Sequence, residues 1–366
     1  MTARHLYVHV PFCARRCAYC DFSIAVRRST PVDEYIKALA AELAQKSSEL
    51  GELDTIYLGG GTPSRLGGEG IARVLDLTRA HVSVAPGAEI TIEVNPDDVT
   101  ADVAAQWRAA GVNRISLGVQ SFDDSTLRWM HRVHDSATAL QAFNTLRAAE
   151  FENISVDLIF ALPDSLNRSW ESDLKTAIAL DPDHISLYGL TIESSTPLGR
   201  WNARGSIVPA DEEKYAAEFL LADRAAGEAG FDHYEVSNFA KPGKNSRHNS
   251  AYWTGASYVG LGPSAHSFDG NVRSWNVAPY AEWVARLAKG ESAVEDAEVL
   301  TESNRQAEKV YLGLRTRAGV SVTSGDRHSA DLWSENGWAE IDGDVVRLTS
   351  EGWLRLDSLA AGLTGF

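Results

Sequence analysis

Apolar residues fall into short runs, separated by longer stretches in which they recur at helical spacing. The runs at 6–10, 55–58, 89–94, 114–119, 154–160 and 184–190 predict six strands. Helices are predicted between and after them, over 33–50, 70–80, 100–110, 136–149, 169–180 and 211–229. Strand–helix–strand repetition implies right-handed crossovers and a parallel sheet. Six such units make an incomplete (β/α) barrel or an open curved sheet. Residues 1–230 are assigned to the first, an α/β partial (β/α)6 barrel. In that architecture ligands bind at the C-terminal ends of the strands.

The rhythm changes after about residue 231. One further strand is predicted over 233–239, and a polar loop with Pro and Gly over 241–249. Residues 258–267 are rich in glycine, and 231–295 are assigned to a barrel extension and connector. Beyond 296 come helices at 304–314 and 330–336, a hairpin at 338–348 turned at Asp342-Gly343, and a closing helix at 350–359. Residues 296–366 are therefore expected to form a mostly helical, winged-helix-like domain. Such folds often bind DNA, but this module carries Glu302, Glu308, Asp331, Glu335, Glu340, Asp342 and Asp344. A lid or partner surface is expected instead of a nucleic-acid site.

Composition narrows the class. The chain has 366 residues, 44% hydrophobic, with a net charge of −16, which opposes a dedicated nucleic-acid binder. No run approaches the roughly 18–20 apolar residues that span a bilayer, so any membrane contact is expected to be peripheral. The N-terminus leads from Met-Thr-Ala-Arg-His into a strand without a signal-peptide apolar region. A cytoplasmic, reducing location is expected, where thiols ligate metal instead of pairing.

All three cysteines stand in one segment, Cys13-Ala-Arg-Arg-Cys17-Ala-Tyr-Cys20. Three thiolates at this spacing can hold three irons of a cubane [4Fe–4S] cluster, whereas most such clusters take four. The remaining iron is open to a substrate or cofactor, usually S-adenosylmethionine (SAM) in this arrangement. The segment thus resembles the radical-SAM superfamily. Structural zinc would want a fourth ligand. His9 is close in sequence, but on a strand it would face away from the cysteine loop. Chance clustering of buried cysteines would not leave the rest of the chain without any.

Further motifs stand at predicted strand ends. Leu58-Gly-Gly-Gly-Thr-Pro-Ser64 can bring backbone close to a ligand, or simply turn. Glu93 emerges from an apolar strand, where an unpaired carboxylate is costly. It could accept from an ammonium or ribose hydroxyls, or pair with a barrel arginine. Gln120 ends the fourth run, and Asp157 lies inside the fifth. Arg132 could fork onto a carboxylate, or be an exposed helix-end arginine.

Together, Leu6-Tyr-Val-His-Val-Pro-Phe-Cys13, the cysteine triad, Gly59-Gly-Gly-Thr-Pro63, Glu93, Arg114-Ile-Ser-Leu-Gly-Val-Gln-Ser-Phe122, Asp157-Leu-Ile-Phe-Ala-Leu-Pro163 and His184-Ile-Ser-Leu-Tyr-Gly-Leu190 resemble the family of oxygen-independent coproporphyrinogen III oxidase. The resemblance runs from about residue 6 to the C-terminus. It implies a partial barrel with a C-terminal wing-like domain. It assigns Cys13, Cys17 and Cys20 to the cluster. It assigns Tyr7, Tyr19, Gly60, Gly61, Thr62, Glu93, Gln120, Arg132 and Asp157 to SAM. Met130-His131 departs from the Leu-Gly common before the SAM-binding arginine.

Three features separate this chain from the oxidases it resembles. Phe22 stands where they carry a fourth cysteine. They have a longer N-terminal extension, whereas this sequence starts at strand one. Finally, His248-Asn-Ser-Ala-Tyr252-Trp253 resembles the heme-chaperone branch. Histidine can ligate heme iron, and Tyr and Trp offer flat apolar faces. The same residues could instead anchor a capped loop, with His248 only hydrogen-bonded. His266 is a rival ligand, proton carrier or structural donor.

Three readings remain. A heme chaperone would bind heme, carry the SAM-ligated cluster and deliver heme to an acceptor protein such as a respiratory enzyme. A radical-SAM enzyme would act on a porphyrinogen or methylate another substrate. A degenerate SAM sensor would do neither. The first two need an electron donor for the cluster.

Overall fold

The computed structural model of the chain describes residues 2–323 and 325–364; residues 365–366, assigned above to the C-terminal domain, lie outside the described residues. The six expected strands are present: β1 (Ala3–Val10), β2 (Leu50–Gly60), β3 (Val84–Val94), β4 (Arg114–Gln120), β5 (Ile154–Phe160) and β6 (His184–Gly189). Each pairs in parallel with the next. Helices α1 (Val32–Lys46), α2 (Gly67–His81), α3 (Ala101–Ala109), α4 (Ser136–Ala148) and α5 (Trp170–Ala179) connect them, and α6 (Glu212–Glu228) follows β6. Thr100, Asp135, Ser169 and Asp211 cap α3 to α6, each accepting from a backbone N–H of the first turn. The helix expected to reach residue 50 stops at Lys46, because Leu50 opens β2 and pairs with Ala3.

Side chains alternate across this sheet. Leu6, Val8, Ile56, Leu58, Ile90, Ile92, Ile115, Leu117, Ile154, Val156, Ile185 and Leu187 are buried in the apolar layer beneath the helices. The intervening positions are polar. Tyr7 pairs with Tyr57, Thr55 with Glu89, Glu93 with Ser116, Gly118 with Asp157, and Ser155 with His184. The sheet therefore has an apolar outer face and a hydrogen-bonding inner face.

The extension differs from expectation. The strand predicted over 233–239 is a hairpin, β7 (Asp232–Glu235) and β8 (Asn238–Ala240), with β8 antiparallel to β6. The predicted loop at 241–249 is cut short by a helix, α7 (Arg247–Trp253), because Ser246 accepts from the Asn249 N–H and nucleates it. The glycine-rich stretch becomes two strands, β9 (Tyr258–Leu261) and β10 (His266–Phe268). β9 joins the free edge of β1 in parallel, followed by antiparallel β11 (Val272–Asn276) and β12 (Val294–Val299). The sheet order is β12-β11-β10-β9-β1-β2-β3-β4-β5-β6-β8-β7. Gly260 is required here, since a Cβ would stand 2.1 Å from the His266 carbonyl oxygen.

The C-terminal module contains helices Glu302–Leu314 and Arg327–Glu335, and a small sheet of Val320–Ser321, Ala339–Asp342 and Val345–Leu348. Two helices, Ser350–Trp353 and Leu356–Thr364, replace the single closing helix. The module docks on the barrel through Trp353, whose ring meets His233 edge-on at 4.3 Å. No helix among the described residues is long and apolar enough to cross a membrane.

Candidate cofactor site

At the C-terminal ends of the barrel strands lies a cavity of about 500 Å³. Its walls include Cys13, Cys17, Cys20, Tyr19, Gly60, Gly61, Thr62, Glu93, Gln120, Arg132 and Asp157. All three cysteines and eight of the nine expected SAM contacts thus share one space. Tyr7 does not line it. Its hydroxyl lies 3.1 Å from His9 Nδ1, and it faces a neighbouring cleft.

The cysteine loop is fixed by short backbone ties. Phe12–Cys13 pairs with Ala25–Val26, and the Ala18 N–H donates to the Met130 carbonyl at 3.0 Å. His9 reaches this loop, contrary to the sequence reading. Its Nε2 donates to the Ser23 carbonyl at 2.9 Å, so it braces the loop without joining the thiols. Burial pushes the Cys13 thiol up, and raises Cys20 to about 11. A bound cation reverses that logic by stabilising thiolates. Among the described residues no three His, Cys, Asp or Glu side chains converge closely enough to chelate a single ion. A cubane puts each thiolate on its own iron, so three separated thiols on one cavity wall suit a cluster better than zinc.

Arg132 is brought to the same wall by the Ala18–Met130 tie. Its guanidinium donates to Cys17 Sγ at 3.6 Å, Asn95 Oδ1 at 2.7 Å and the Gly118 carbonyl at 2.8 Å. It is not an exposed helix-end residue, and Met130-His131 does not displace it from the cavity. Glu93 makes no arginine pair among the described residues. It accepts from the Tyr57 hydroxyl at 2.8 Å and from the Gly60 N–H at 3.0 Å. Desolvation dominates over these bonds and lifts its pKa to about 7. Gly60 has φ 109°, and a Cβ there would stand 2.4 Å from the His9 ring. Asp157 accepts from Ser116 at 2.6 Å and Ser155 at 2.8 Å, while burial raises its pKa. Gln120 enters the cavity from a left-handed turn, φ 70°, a sparsely populated conformation for a non-glycine residue.

The motif residues 248, 252 and 253 are not gathered on one surface. His248 is 1% exposed. Its ring stacks on Tyr57, with centroids 5.0 Å apart, and its two nitrogens lie 2.7 Å from Thr55 Oγ1 and 2.8 Å from the Tyr252 hydroxyl. Burial lowers its pKa to about 3, keeping the ring neutral. Glu89 holds the start of α7 by accepting the N–H groups of Arg247 and His248, each at 2.9 Å. Tyr252 faces the neighbouring cleft. Trp253 turns away and lies 4.6 Å beneath the Arg315 guanidinium of the C-terminal module.

Sequence reasoning missed Tyr57 and Asn95, which hold Glu93 and Arg132. The signal for Tyr57 was the period-2 alternation, which places Thr55 and Tyr57 on the inner face with Glu89 and Glu93.

Residues 7–177 match the family model of the radical SAM superfamily. The heme chaperone HemW of Mycobacterium tuberculosis H37Rv is 36% identical over 98% of this chain and 94% of its own length. HemW of Bacillus subtilis 168 is 37% identical, over 86% of this chain and 84% of its length. HemW of Escherichia coli K12 is 39% identical, over 71% and 69%. The structure of coproporphyrinogen III oxidase (HemN) from Escherichia coli, a radical SAM enzyme, aligns with a TM-score of 0.83. It covers 99% of this chain and 90% of that one at 23% identity, which shows a common fold. The superfamily implies SAM and a [4Fe–4S] cluster. With full-length similarity to these relatives and a partial barrel carrying a helical C-terminal domain, the chain belongs to the HemW family of heme chaperones within the radical SAM superfamily.

Proposed function

We propose that this chain binds heme, holds a SAM-ligated [4Fe–4S] cluster, and transfers heme to an acceptor protein such as a respiratory enzyme in the cytoplasm. The observation that carries the reading is the 36% identity to a heme chaperone along 98% of the chain, barrel extension and C-terminal module included. Cys13, Cys17 and Cys20 would hold the cluster. Tyr19, Gly60, Gly61, Thr62, Glu93, Gln120, Arg132 and Asp157 would hold SAM. When bound, the cluster supplies one-electron reducing chemistry and an open iron, and an external donor must charge it. The chain's own part is to position and desolvate. Glu93 offers an acceptor for the ammonium or ribose of SAM, and Arg132 a donor for its carboxylate. The backbone at Gly60 and Gly61 allows close approach.

Glu93 makes this testable by pH. A carboxyl titrating near 7 is largely neutral at pH 6 and charged at pH 8. The affinity of the reconstituted protein for SAM, measured by calorimetry, should rise through pH 7 and then level off. Glu93→Gln should flatten the profile and weaken binding about tenfold or more, since bonds to a charged acceptor contribute roughly 1.5–3 kcal/mol. An unchanged profile would remove Glu93 from the SAM contacts.

The chaperone reading is tested by adding ferric heme to anaerobically purified protein and following spectra, stoichiometry and transfer to a heme-free acceptor. Reduced protein with SAM should not decarboxylate coproporphyrinogen III. Protoporphyrinogen IX formed over many turnovers would return the chain to enzyme chemistry. SAM cleavage alone would not, because an open-iron cluster supports it in either case.

A further inference from the structure

Beside the cofactor cavity, and sharing Asp21, Phe22, Gly60 and Glu93 with it, lies an open cleft of about 400 Å³. That volume is within the range of small-molecule sites. Its walls are aromatic on two sides. Phe22, on the cysteine loop, is 57% exposed, a large apolar ring left facing solvent. Opposite, Tyr252 and Tyr258 meet edge-to-face at 4.8 Å. On β10, His266 also lines the cleft.

His266 differs from the chain's other inward-facing histidines. His248 spends both nitrogens on hydrogen bonds inside the barrel, and so do His9 and His184. His266 is exposed, and no hydrogen bond to either ring nitrogen is present among the described residues. Its ring is backed by Trp275, with centroids 5.9 Å apart and planes 31° from parallel. Partial burial, aided by Arg273, holds its pKa below the ordinary histidine value, so the ring is neutral at physiological pH. A neutral, unengaged imidazole between flat aromatic faces is what a porphyrin iron requires of a protein.

We propose that heme enters this cleft, with His266 donating an imidazole lone pair to its iron and Phe22, Tyr252 and Tyr258 flanking the macrocycle. The assignment rests on the heme-chaperone reading. It gives Tyr252 of the 248–253 motif a heme contact, and it makes His248 a positioning residue that holds Tyr252 through its hydroxyl.

The test titrates ferric heme into the reconstituted full-length protein and its variants, following the Soret band, the EPR spectrum and affinity. His266→Ala should change the ligand signature and weaken binding on the order of tenfold. His266→Gly should regain the original spectrum when free imidazole is added, a rescue that a folding defect would not allow. Iron content and circular dichroism should match the unsubstituted chain, since the ring is exposed and forms no hydrogen bond. If the unsubstituted chain binds no heme, the chaperone reading itself falls. If it binds and both His266 variants keep its spectrum and affinity, that reading stands and the cleft assignment is wrong. A ligand signature that follows His131→Ala or His248→Ala instead would also overturn it.

Discussion

Cys17→Ala should leave anaerobically reconstituted protein with almost no iron, against about four irons and four sulfides in the unsubstituted chain. A cubane whose fourth iron is open has no protein ligand in reserve. The chain has only three cysteines, so no fourth thiol can replace the one removed. Two thiolates cannot retain the cubane. Nor should the loss come from unfolding. Cys17 is half-buried on a loop whose position is set by the Ala18–Met130 and Leu198–Ala18 backbone bonds, which the substitution leaves intact. Iron and sulfide assays, the cluster EPR signal and a melting curve separate the two effects. Normal iron content would refute the cluster assignment and everything placed around it.

The largest effect on stability is expected far from that cavity, at Glu42. This carboxylate on α1 is fully buried. It accepts from the Gly262 N–H at 2.8 Å, Asn276 Nδ2 at 2.6 Å and Trp283 Nε1 at 2.9 Å, and pairs with Lys46 at 3.1 Å. Lys46 in turn donates to the Gly260 carbonyl at 2.9 Å. One side chain thus clamps α1 to β9, to the end of β11 and to the helix Tyr280–Ala288. Glu42→Ala would strand a buried ammonium and three donors. Breaking one partner of a buried pair costs about 3–5 kcal/mol. Glu42→Gln keeps the shape and loses the charge opposite Lys46, so it should fall between the two. Urea unfolding of the three proteins checks the order. A loss below about 1 kcal/mol for the alanine variant, the scale of an exposed pair, would show that the clamp does not hold the extension.

The parts of this protein that could be read without coordinates are those whose signals are local. The thiols lie within one short segment, at a spacing that points to cluster chemistry before any fold is known. β5 emerged at its observed bounds because its run is apolar at every buried outward position and turn residues flank it. Three of the crossover helices, α3 to α5, carried their own caps. Features that depend on distant segments or on a change of local conformation were not legible in this way. β9 has two glycines in or beside four strand residues and little alternation of its own, so its placement at the edge of β1 comes from pairing. That pairing, with Glu89 holding the start of α7, sets His248 against Tyr57. The motif at 248–253 shows the other limit. As a loop, its His, Tyr and Trp could converge on one ligand. As a helix they cannot, because residues four apart share a face, whereas the next residue is rotated by about 100°. His248 and Tyr252 therefore meet each other, and Trp253 meets Arg315.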